Sequence, residues 1–262
     1  MSITNRIRQT LRLFILAAVM MMVPLPSRSG LPAVTKAYAA DYYGWFEYDP
    51  YNSSDNDSQS NSGYRISSKA IWMNAGKTRK LKVYSASGKV KWSSSNKKVA
   101  KVSSQGVVTA KRAGKATIKA KCPTLSKTVS CTVRVYTQAS VKKKLLKLRK
   151  KYKEGKRWTN EDNYYFWEAD RMNSYGCYAL VGIFSDKVFG KKAPIKTHKS
   201  FSKIKAGDHV RIGDYHSVVV IEKKGNKLTV VEGNWNRSIH WKRVITKREL
   251  KAEGFWVQTR YW

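Results

Sequence analysis

Two apolar, β-branched runs on either side of a Gly-Asn pair constrain the fold of this chain more than any other feature. The runs occupy residues 218–221 and 228–231, and the Gly-Asn pair lies at 225–226. Short β-branched runs separated by such a pair are typical of a β-hairpin. With the turn centred there, the numbers of opposing residues sum to about 448–450. The sequence therefore predicts a hairpin over residues 217–232.

This hairpin brings polar residues to the ends of its two strands. His216 begins the first strand, and Glu232 and Asn234 end the second. Because side chains alternate between faces along a strand, an even sum places all three on one face and an odd sum separates them. Both registers stay open. A histidine beside a carboxylate or an amide lacks only a nucleophile to complete a catalytic set.

Cys177 is the candidate nucleophile. It begins a run at 177–189 that is apolar nearly all round, which predicts a buried helix. A helix N-terminus and a nearby imidazolium both lower the pKa of a thiol. We therefore expect Cys177 to attack, His216 to act as the base, and Glu232 or Asn234 to hold the imidazole.

The backbone N–H of Cys177 is the expected donor to the oxyanion that forms during attack. A second donor from Asn173, Ser174 or Tyr175 stays open, and no glutamine lies just before Cys177. The Cys and His residues lack the Cys-x-x-Cys and His-x-x-x-His spacings of zinc sites. Neither a metal nor another cofactor is predicted.

The chain has three cysteines, and an odd count in an exported protein suggests one disulfide and one free thiol. Cys122 and Cys131 flank a short loop that contains Pro123. A cross-strand disulfide between them is sterically plausible. It leaves Cys177 free.

Residues 1–39 have the composition of a secretory signal peptide. A basic segment with Arg6, Arg8 and Arg12 precedes an apolar segment at 13–23, and an Ala-Tyr-Ala sequence ends at residue 39. The apolar segment is shorter than the roughly 20 residues that span a bilayer. An uncleaved anchor is the alternative interpretation. We expect a secreted, cell-wall-associated protein with no transmembrane segment in the mature chain.

The charge of the chain is strongly unbalanced. It has 52 Lys and Arg residues against 17 Asp and Glu residues, which gives a net charge of +35. Residues 40–65 are acidic and rich in Ser and Asn, which predicts a linker. Residues 66–136 contain 17 basic residues and no acidic one. This field favours a polyanionic partner such as a wall polymer, with a merely solvated surface as the alternative.

Residues 66–136 also alternate short apolar stretches with Ser/Gly/Asn turns, which predicts an all-β sandwich. Three segments resemble the bacterial immunoglobulin-like group 2 domain: Trp-Ser-Ser-Ser-Asn-Lys-Lys-Val-Ala from residue 92, Gly-Val-Val-Thr-Ala from residue 106, and Gly-Lys-Ala-Thr-Ile from residue 114. The resemblance implies a sandwich used as a spacer or adhesive module on exported surface proteins.

Residues 138–153 predict an amphipathic helix with Val141, Leu145, Leu148 and Tyr152 on one face and lysines and arginines on the rest. A basic helix of this kind either binds a membrane or a polyanion, or packs on its own domain. The pattern leaves both open.

The predicted C-terminal domain, residues 138–262, carries a second resemblance that spans most of residues 155–262. Gly-Cys-Tyr-Ala at 176–179, Gly-Asp-His-Val-Arg-Ile at 207–212, His-Ser-Val-Val-Val at 216–220 and Glu-Gly-Asn-Trp-Asn at 232–236 are similar to the CHAP group of papain-like cell-wall amidohydrolases. The resemblance implies an α+β papain-like fold with a buried helix on an antiparallel sheet. It also implies cleavage of amide bonds, commonly in peptidoglycan, by Cys177 and His216 with Glu232 and Asn234 as the orienting pair.

The sequence as a whole predicts two domains, a β-sandwich followed by a cysteine amidase or endopeptidase. Its expected partner is peptidoglycan or another anionic wall polymer, and the sandwich is expected to bind or space the enzyme there. The alternative is a surface adhesion or binding protein with an inactive papain-like domain. The charge and the Trp content also suggest an extracellular nucleic-acid binder, but no recognised nucleic-acid motif supports this.

Overall fold

A computed structural model describes residues 63–261 of the chain. The predicted signal peptide at 1–39 and nearly all of the predicted linker at 40–65 lie outside the described residues.

The turn-rich stretches of residues 63–136 form nine strands. They are β1 (Arg65–Ile66), β2 (Ala70–Asn74), β3 (Thr78–Lys80), β4 (Val83–Tyr84), β5 (Lys91–Ser94), β6 (Ala100–Val102), β7 (Val107–Ala110), β8 (Gly114–Cys122) and β9 (Lys127–Tyr136). One sheet has the order β2-β9-β8-β5 and another the order β3-β7-β6. β2 runs parallel to β9, whereas the remaining pairs of these two sheets are antiparallel.

An apolar cluster between these two sheets holds them together. Ile71, Ile118 and Val133 of the first sheet and Val108 and Ala110 of the second are completely buried in it. Along β8 every second residue is buried, as expected for a strand that lies between a core and solvent. The predicted β-sandwich is therefore confirmed.

The predicted disulfide is wrong, because Cys122 and Cys131 are both free in the structure. The register of β8 and β9 pairs Cys122 with Lys127 and Cys131 with Ile118. The two cysteines are thus four residues apart along the ladder, roughly 13 Å at about 3.4 Å per residue. A disulfide needs Cα atoms within about 7 Å. The hairpin loop is tighter than the sequence suggested, so the cysteines do not face each other.

Helix α1 (Gln138–Leu148) follows β9 directly. Thr137 and Ser140 form a reciprocal capping box at its start, which satisfies two backbone N–H groups. The helix ends at Leu148 rather than at the predicted residue 153. Its apolar face, with Val141 and Leu145, is buried against the rest of the protein. The structure thus favours a surface helix packed on its own chain over a membrane-binding one.

The remaining residues form eight strands and two helices. They are β10 (Tyr164–Trp167), β11 (Met172–Tyr175), α2 (Gly176–Phe189), β12 (Lys196–His198), β13 (His209–Ile212), β14 (His216–Lys224), β15 (Lys227–Trp235), β16 (Ser238–Thr246), α3 (Lys247–Glu253) and β17 (Phe255–Thr259). β10 and β11 form a hairpin, and the other six strands form an antiparallel sheet in the order β12-β17-β13-β14-β15-β16.

The predicted α+β papain-like fold is wrong. Strands make up 45% of the structure and helices 18%, so it is mostly β-sheet. The prediction gave most weight to the one long apolar segment that became α2. Strands β11 and β12 are short and carry no apolar run, and the aromatic run of β10 was not recognised as a strand, so the sheet content was underestimated.

Both faces of the six-stranded sheet are covered. Leu180 and Phe184 of α2 belong to the same buried cluster as Val219 and Val231 of the sheet. On the other face, Val218 and Val230 share a cluster with Leu250 of α3 and with Phe201. A strand that is buried on both faces has apolar residues at successive positions, which explains the composition of residues 218–221.

The sandwich and the C-terminal region share buried contacts. Trp72 of β2 and Tyr136 of β9 belong to the same apolar cluster as α2. The Trp72 Nε1–H and the Tyr136 hydroxyl both donate to the backbone carbonyl of Phe189, at 3.0 and 3.2 Å.

No helix among residues 63–261 is both long enough and apolar enough to cross a bilayer.

Candidate active site

The N-terminus of α2 is fixed by the segment that precedes β10. The backbone N–H of Gly176 donates to the carbonyl of Asn163 at 2.9 Å, and Trp158 Nε1–H donates to the carbonyl of Gly176 at 2.7 Å. Gly176 has a positive φ of 49°, which glycine adopts without the strain of a side chain. Cys177 follows as the second residue of α2 and is 8% exposed. The thiol is thus held where the helix dipole favours a negative charge.

The hairpin of β14 and β15 adopts the even register. Val218 pairs with Glu232 and Val220 with Val230, so the numbers of opposing residues sum to 450 next to the site. His216 and Glu232 therefore lie on the same face as diagonal neighbours. The Nε2–H of His216 donates to Glu232 Oε2 at 2.7 Å, and both residues are buried. Glu232, rather than Asn234, is the direct partner of the imidazole.

The thiol of Cys177 is hydrogen-bonded to the imidazole of His216. Because Glu232 occupies Nε2, Nδ1 is the nitrogen that serves the thiol. The backbone N–H of Ser217 also donates to the sulfur. The structure thus brings together three of the four predicted site residues in the order nucleophile, base and carboxylate.

These contacts lower the pKa of Cys177 although the residue is buried. Burial alone raises the pKa, but the hydrogen bond and charge of His216, the Ser217 N–H and the charge of Arg211 outweigh it. For His216, burial lowers the pKa, and the bonds to Cys177 and Glu232 outweigh that effect and raise it. Both shifts bring the pKa of the thiol and the pKa of the imidazole closer together, which is the direction that favours a thiolate–imidazolium pair.

Asn234 was predicted to help orient the imidazole, but its side chain makes a different contact. Its Nδ2–H donates to Oδ1 of Asn160 at 2.8 Å. The backbone of Asn234 has a positive φ of 57°, a conformation that asparagine tolerates better than most residues. The residue therefore links the end of β15 to the segment in front of α2.

Two side chains that the sequence did not single out complete the surroundings of Glu232. Arg243 Nη1 lies 3.3 Å from Glu232 Oε2, and its guanidinium lies 4.4 Å from the centre of the Trp235 ring. Simple alternation along β16 places Arg243 on the opposite face from the one it occupies beside Glu232. The register shift between Val230 and Val231, where Lys242 has a positive φ, changes the face, and sequence alternation does not reveal such a bulge.

The second oxygen of Glu232 has no hydrogen-bond partner among the described residues. Its side chain is completely buried, and an unpartnered buried oxygen costs free energy. The carboxylate is therefore stabilised chiefly by His216 and Arg243.

A second buried histidine lies behind the site and has a different role. His209 Nε2 contacts Ser217 Oγ at 3.0 Å, and its Nδ1 contacts Gln258 Oε1 at 2.8 Å. Burial lowers the pKa of His209 to about 3, so the ring is neutral at physiological pH. His209 fixes the side chain of Ser217, whose N–H contacts the sulfur of Cys177, and takes no part as a base.

Within residues 63–261, no group of three or more His, Cys, Asp or Glu side chains is arranged to hold a metal ion.

Comparison with known proteins identifies the first region. Residues 62–143 match the sequence model of the bacterial Ig-like domain (group 2). No curated protein matches the chain significantly.

Three solved structures illustrate what the chain resembles. A crystal structure of an intimin–Tir90 complex is 32% identical, covers 24% of this chain and 34% of that chain, and has a TM-score of 0.23. Domains 4 and 5 of the S-layer protein SbsC are 23% identical, cover 29% of this chain and 51% of that chain, and have a TM-score of 0.23. Domains 5–6 of SbsC are 15% identical over 70% of this chain and 94% of that chain, with a TM-score of 0.26. The chain thus spans about a third of the length of the matched intimin chain and about half of the length of the two-domain SbsC chain.

The comparisons bear differently on the two predicted resemblances. They give no support to the similarity of residues 138–262 to the CHAP group of papain-like amidohydrolases. They support the other resemblance, because the family match includes every strand of the sandwich. Residues 62–143 are a bacterial Ig-like domain of group 2.

Proposed function

We propose that the chain is an exported surface protein whose C-terminal region hydrolyses amide bonds, with Cys177 as the nucleophile. One observation carries this proposal: the buried imidazole of His216 is bonded on one side to Glu232, at 2.7 Å, and on the other to the Cys177 thiol. A nucleophile, a base and a group that orients the base are the set that covalent hydrolysis requires.

The reaction proceeds in two steps. The thiolate of Cys177 attacks the carbonyl carbon, a C–S bond forms, and the carbonyl electrons move to oxygen. The oxyanion collapses, the C–N bond breaks, and protonated His216 gives its proton to the leaving amine. Water, deprotonated by His216, then attacks the thioester carbonyl. The C–S bond breaks, a carboxylic acid is released, and the Cys177 thiolate is restored beside the protonated His216. Glu232 holds the ring in position and stabilises the imidazolium.

The surroundings of the site support a polymeric, anionic substrate at the cell surface. Tyr175 lies two residues before Cys177 and Tyr215 directly before His216, and each is about half exposed, at 53% and 51%. Exposed aromatic rings offer apolar contact area beside the thiol. The Ig-like domain carries basic residues and no acidic one between residues 66 and 136. Amide bonds of peptidoglycan in an anionic wall are the substrate we propose.

The test compares the intact protein with three variants on purified cell wall, with mass spectrometry of the fragments released. Cys177→Ala should abolish release. Glu232→Gln, which keeps the size of the side chain, should slow release by about 10²–10⁴-fold, since removal of the group that orients a catalytic histidine has effects up to this size. Cys131→Ala, which removes a buried thiol from the sandwich, is the matched control and should leave release unchanged. If Cys177→Ala releases as many wall fragments as the intact protein, the proposed hydrolase function is rejected.

The family match favours a second candidate function, a surface adhesion or binding protein whose cysteine site is inactive. In that case the intact protein and Cys177→Ala bind the wall equally, and neither releases fragments. With either function, binding that depends on the basic surface should weaken as salt rises, because screening shortens the range of surface charges. Binding that is equal at low and high salt would exclude an electrostatic role for the Ig-like domain.

A further inference from the structure

The space above Gly176 is filled by the side chain of Asn160. A Cβ atom at Gly176 would lie 1.9 Å from Asn160 Oδ1 and 3.0 Å from Asn160 Cγ. Non-bonded heavy atoms do not approach that closely, so a side chain at position 176 would displace the Asn160 amide. The amide group of Asn160 therefore lies directly beside the residue that precedes the nucleophile.

Neighbouring bonds hold Asn160 in this position. Thr159 is completely buried, its N–H donates to Asn163 Oδ1 at 2.9 Å, and its hydroxyl donates to Asp162 Oδ2 at 2.9 Å. The carbonyl of Asn163 in turn accepts from Gly176 N–H at 2.9 Å. The segment that carries Asn160 and the N-terminus of α2 are thus fixed to each other through backbone and side-chain bonds.

The bond from Asn234 determines which end of the Asn160 amide stays available. Asn234 Nδ2–H donates to Asn160 Oδ1, so the acceptor of Asn160 is occupied. The amide nitrogen Nδ2 has no hydrogen-bond partner among the described residues, and Asn160 is exposed. An amide whose oxygen is occupied and whose nitrogen is open can donate to a bound substrate.

We propose that Asn160 is a catalytic residue whose Nδ2–H, with the backbone N–H of Cys177, stabilises the oxyanion of the tetrahedral intermediate. Asn234 is then a positioning residue that orients the Asn160 amide, and Gly176 is required because a side chain there would displace it. This role rests on the proposed hydrolase function. It assigns the second oxyanion donor to a segment outside residues 173–175.

The three donors suggested by the sequence fit this role less well. Ser174 is 1% exposed and its hydroxyl has no hydrogen-bond partner within residues 63–261, so it does not face a substrate that arrives from solvent. Tyr175 precedes α2 and turns its ring to solvent. Asn173 lies on β11 opposite Phe166 and is exposed. Asn173 therefore serves as the matched control for an asparagine substitution near the site.

The test separates thiolate chemistry from oxyanion chemistry on the full chain. Iodoacetamide alkylates Cys177 by displacing iodide from a saturated carbon, and no oxyanion forms. 4-Nitrophenyl acetate acylates the same thiol through a tetrahedral oxyanion and releases 4-nitrophenolate. Both rate constants are measured at one pH, and their ratio is compared between variants because the thiolate fraction cancels in the ratio.

We expect Asn160→Ala to lower the ratio of acylation to alkylation by about 10²–10³-fold, the usual cost of removing one oxyanion donor. Asn160→Asp, which keeps the acceptor for Asn234 and removes the donor, should lower the ratio at least as far. Asn234→Ala should lower it by a smaller factor, about tenfold, because the donor is kept but no longer oriented. Asn173→Ala should leave both rates within about twofold of the intact protein.

An unchanged ratio in Asn160→Ala would overturn the oxyanion role while leaving the hydrolase in place. Equal losses of acylation and alkylation would also overturn it, because they indicate damage to the thiol site rather than loss of a donor. If Cys177 of the intact protein is alkylated no faster than a thiol in unfolded protein, the hydrolase itself fails, and the role of Asn160 fails with it.

Discussion

The Ig-like domain and the C-terminal region bury different kinds of side chain. All twelve polar or charged residues that are buried in residues 63–261 lie between Thr159 and Arg260. The sandwich core contains only apolar side chains and the thiol of Cys131. The charges follow the same division, since residues 66–136 have no acidic side chain while the C-terminal region has buried Asp186, Asp208 and Glu232.

The difference shows what each region needs from its interior. Apolar burial alone holds two sheets together, and it places no demand on protonation. A buried polar group costs free energy unless it is partnered, so a region that buries many has a use for their positions or charges. In the C-terminal region most of these groups lie around Cys177 and His216 or around Asp186 and Arg260, and Asp208 lies apart from both sets.

The largest effect should come from His216, which belongs to the first set. His216→Ala should lower hydrolysis by about 10²–10⁴-fold, because the base is lost. It should also move the pH profile of Cys177 alkylation to higher pH, because burial raises the thiol pKa and His216 is the main group that lowers it. Rates of iodoacetamide labelling across pH 5 to 10 measure this. An unchanged profile would place the thiol outside the influence of the histidine.

The second set should control stability rather than reactivity. Asp186 accepts hydrogen bonds from Tyr165, Trp167 and Arg260, and Arg260 is 2% exposed. Asp186→Ala leaves the guanidinium buried without its counter-charge and should cost about 3–5 kcal/mol in urea unfolding. Lys142→Ala, which breaks a partly exposed pair with Glu222, is the control and should cost less than about 1 kcal/mol. Equal costs would mean that burial does not distinguish the two pairs.

In the sandwich, the effect of a core substitution should not depend on pH. Ile118 is completely buried among apolar side chains. Ile118→Ala should lower the free energy of unfolding by about 2–4 kcal/mol through lost burial and a residual cavity. The loss should be the same at pH 5 and pH 8, and Leu125→Ala, at an exposed position, should have little effect. A loss that changes with pH would show that the sandwich core is coupled to a titrating group.

The smallest change in the free energy of unfolding is expected at Asp208. Unlike the change at Ile118, it should depend on pH. Burial raises the pKa of Asp208 to about 7, and its Oδ2 accepts the N–H of Lys205 at 2.8 Å. Because the pKa in the folded state is raised, the stabilisation from the protonated form is complete below the ordinary value of 3.8 and is lost as pH rises to about 7. Asp208→Asn should therefore gain stability over the intact protein as pH rises, by on the order of 1–3 kcal/mol between pH 5 and pH 6. A difference that is constant with pH would contradict this.

The sequence predicted much of both regions where local patterns suffice. The predicted sandwich forms over the predicted residues, and α2 begins one residue earlier than the predicted helix. Glu232 and His216 meet because the hairpin has the even register, which the sequence offered as one of two possibilities. A one-residue shift would have separated them, and strand composition alone does not choose between the two.

The parts that the sequence missed depend on contacts between distant residues. β2 pairs in parallel with β9, although some sixty residues separate them, and local sequence does not reveal a pairing over that distance. Asn160 was overlooked because it lies in a polar segment without periodicity, and only the folded chain brings it to Gly176. The positive φ of Gly176 is equally invisible, since the sequence shows a glycine but not the neighbour that requires it.

The two hydrogen bonds on the carbonyl of Phe189 limit how far Cys177 can move relative to the Ig-like domain. They tie the Ig-like domain to the end of α2, and Thr137 caps α1 immediately after the last strand of the sandwich, so no flexible tether separates the two regions. If the sandwich binds a wall polymer and Cys177 cuts it, as proposed, the effective concentration of the thiol near that polymer is set by one fixed distance instead of by linker length. Only bonds at that spacing from the bound segment would then come within range of Cys177.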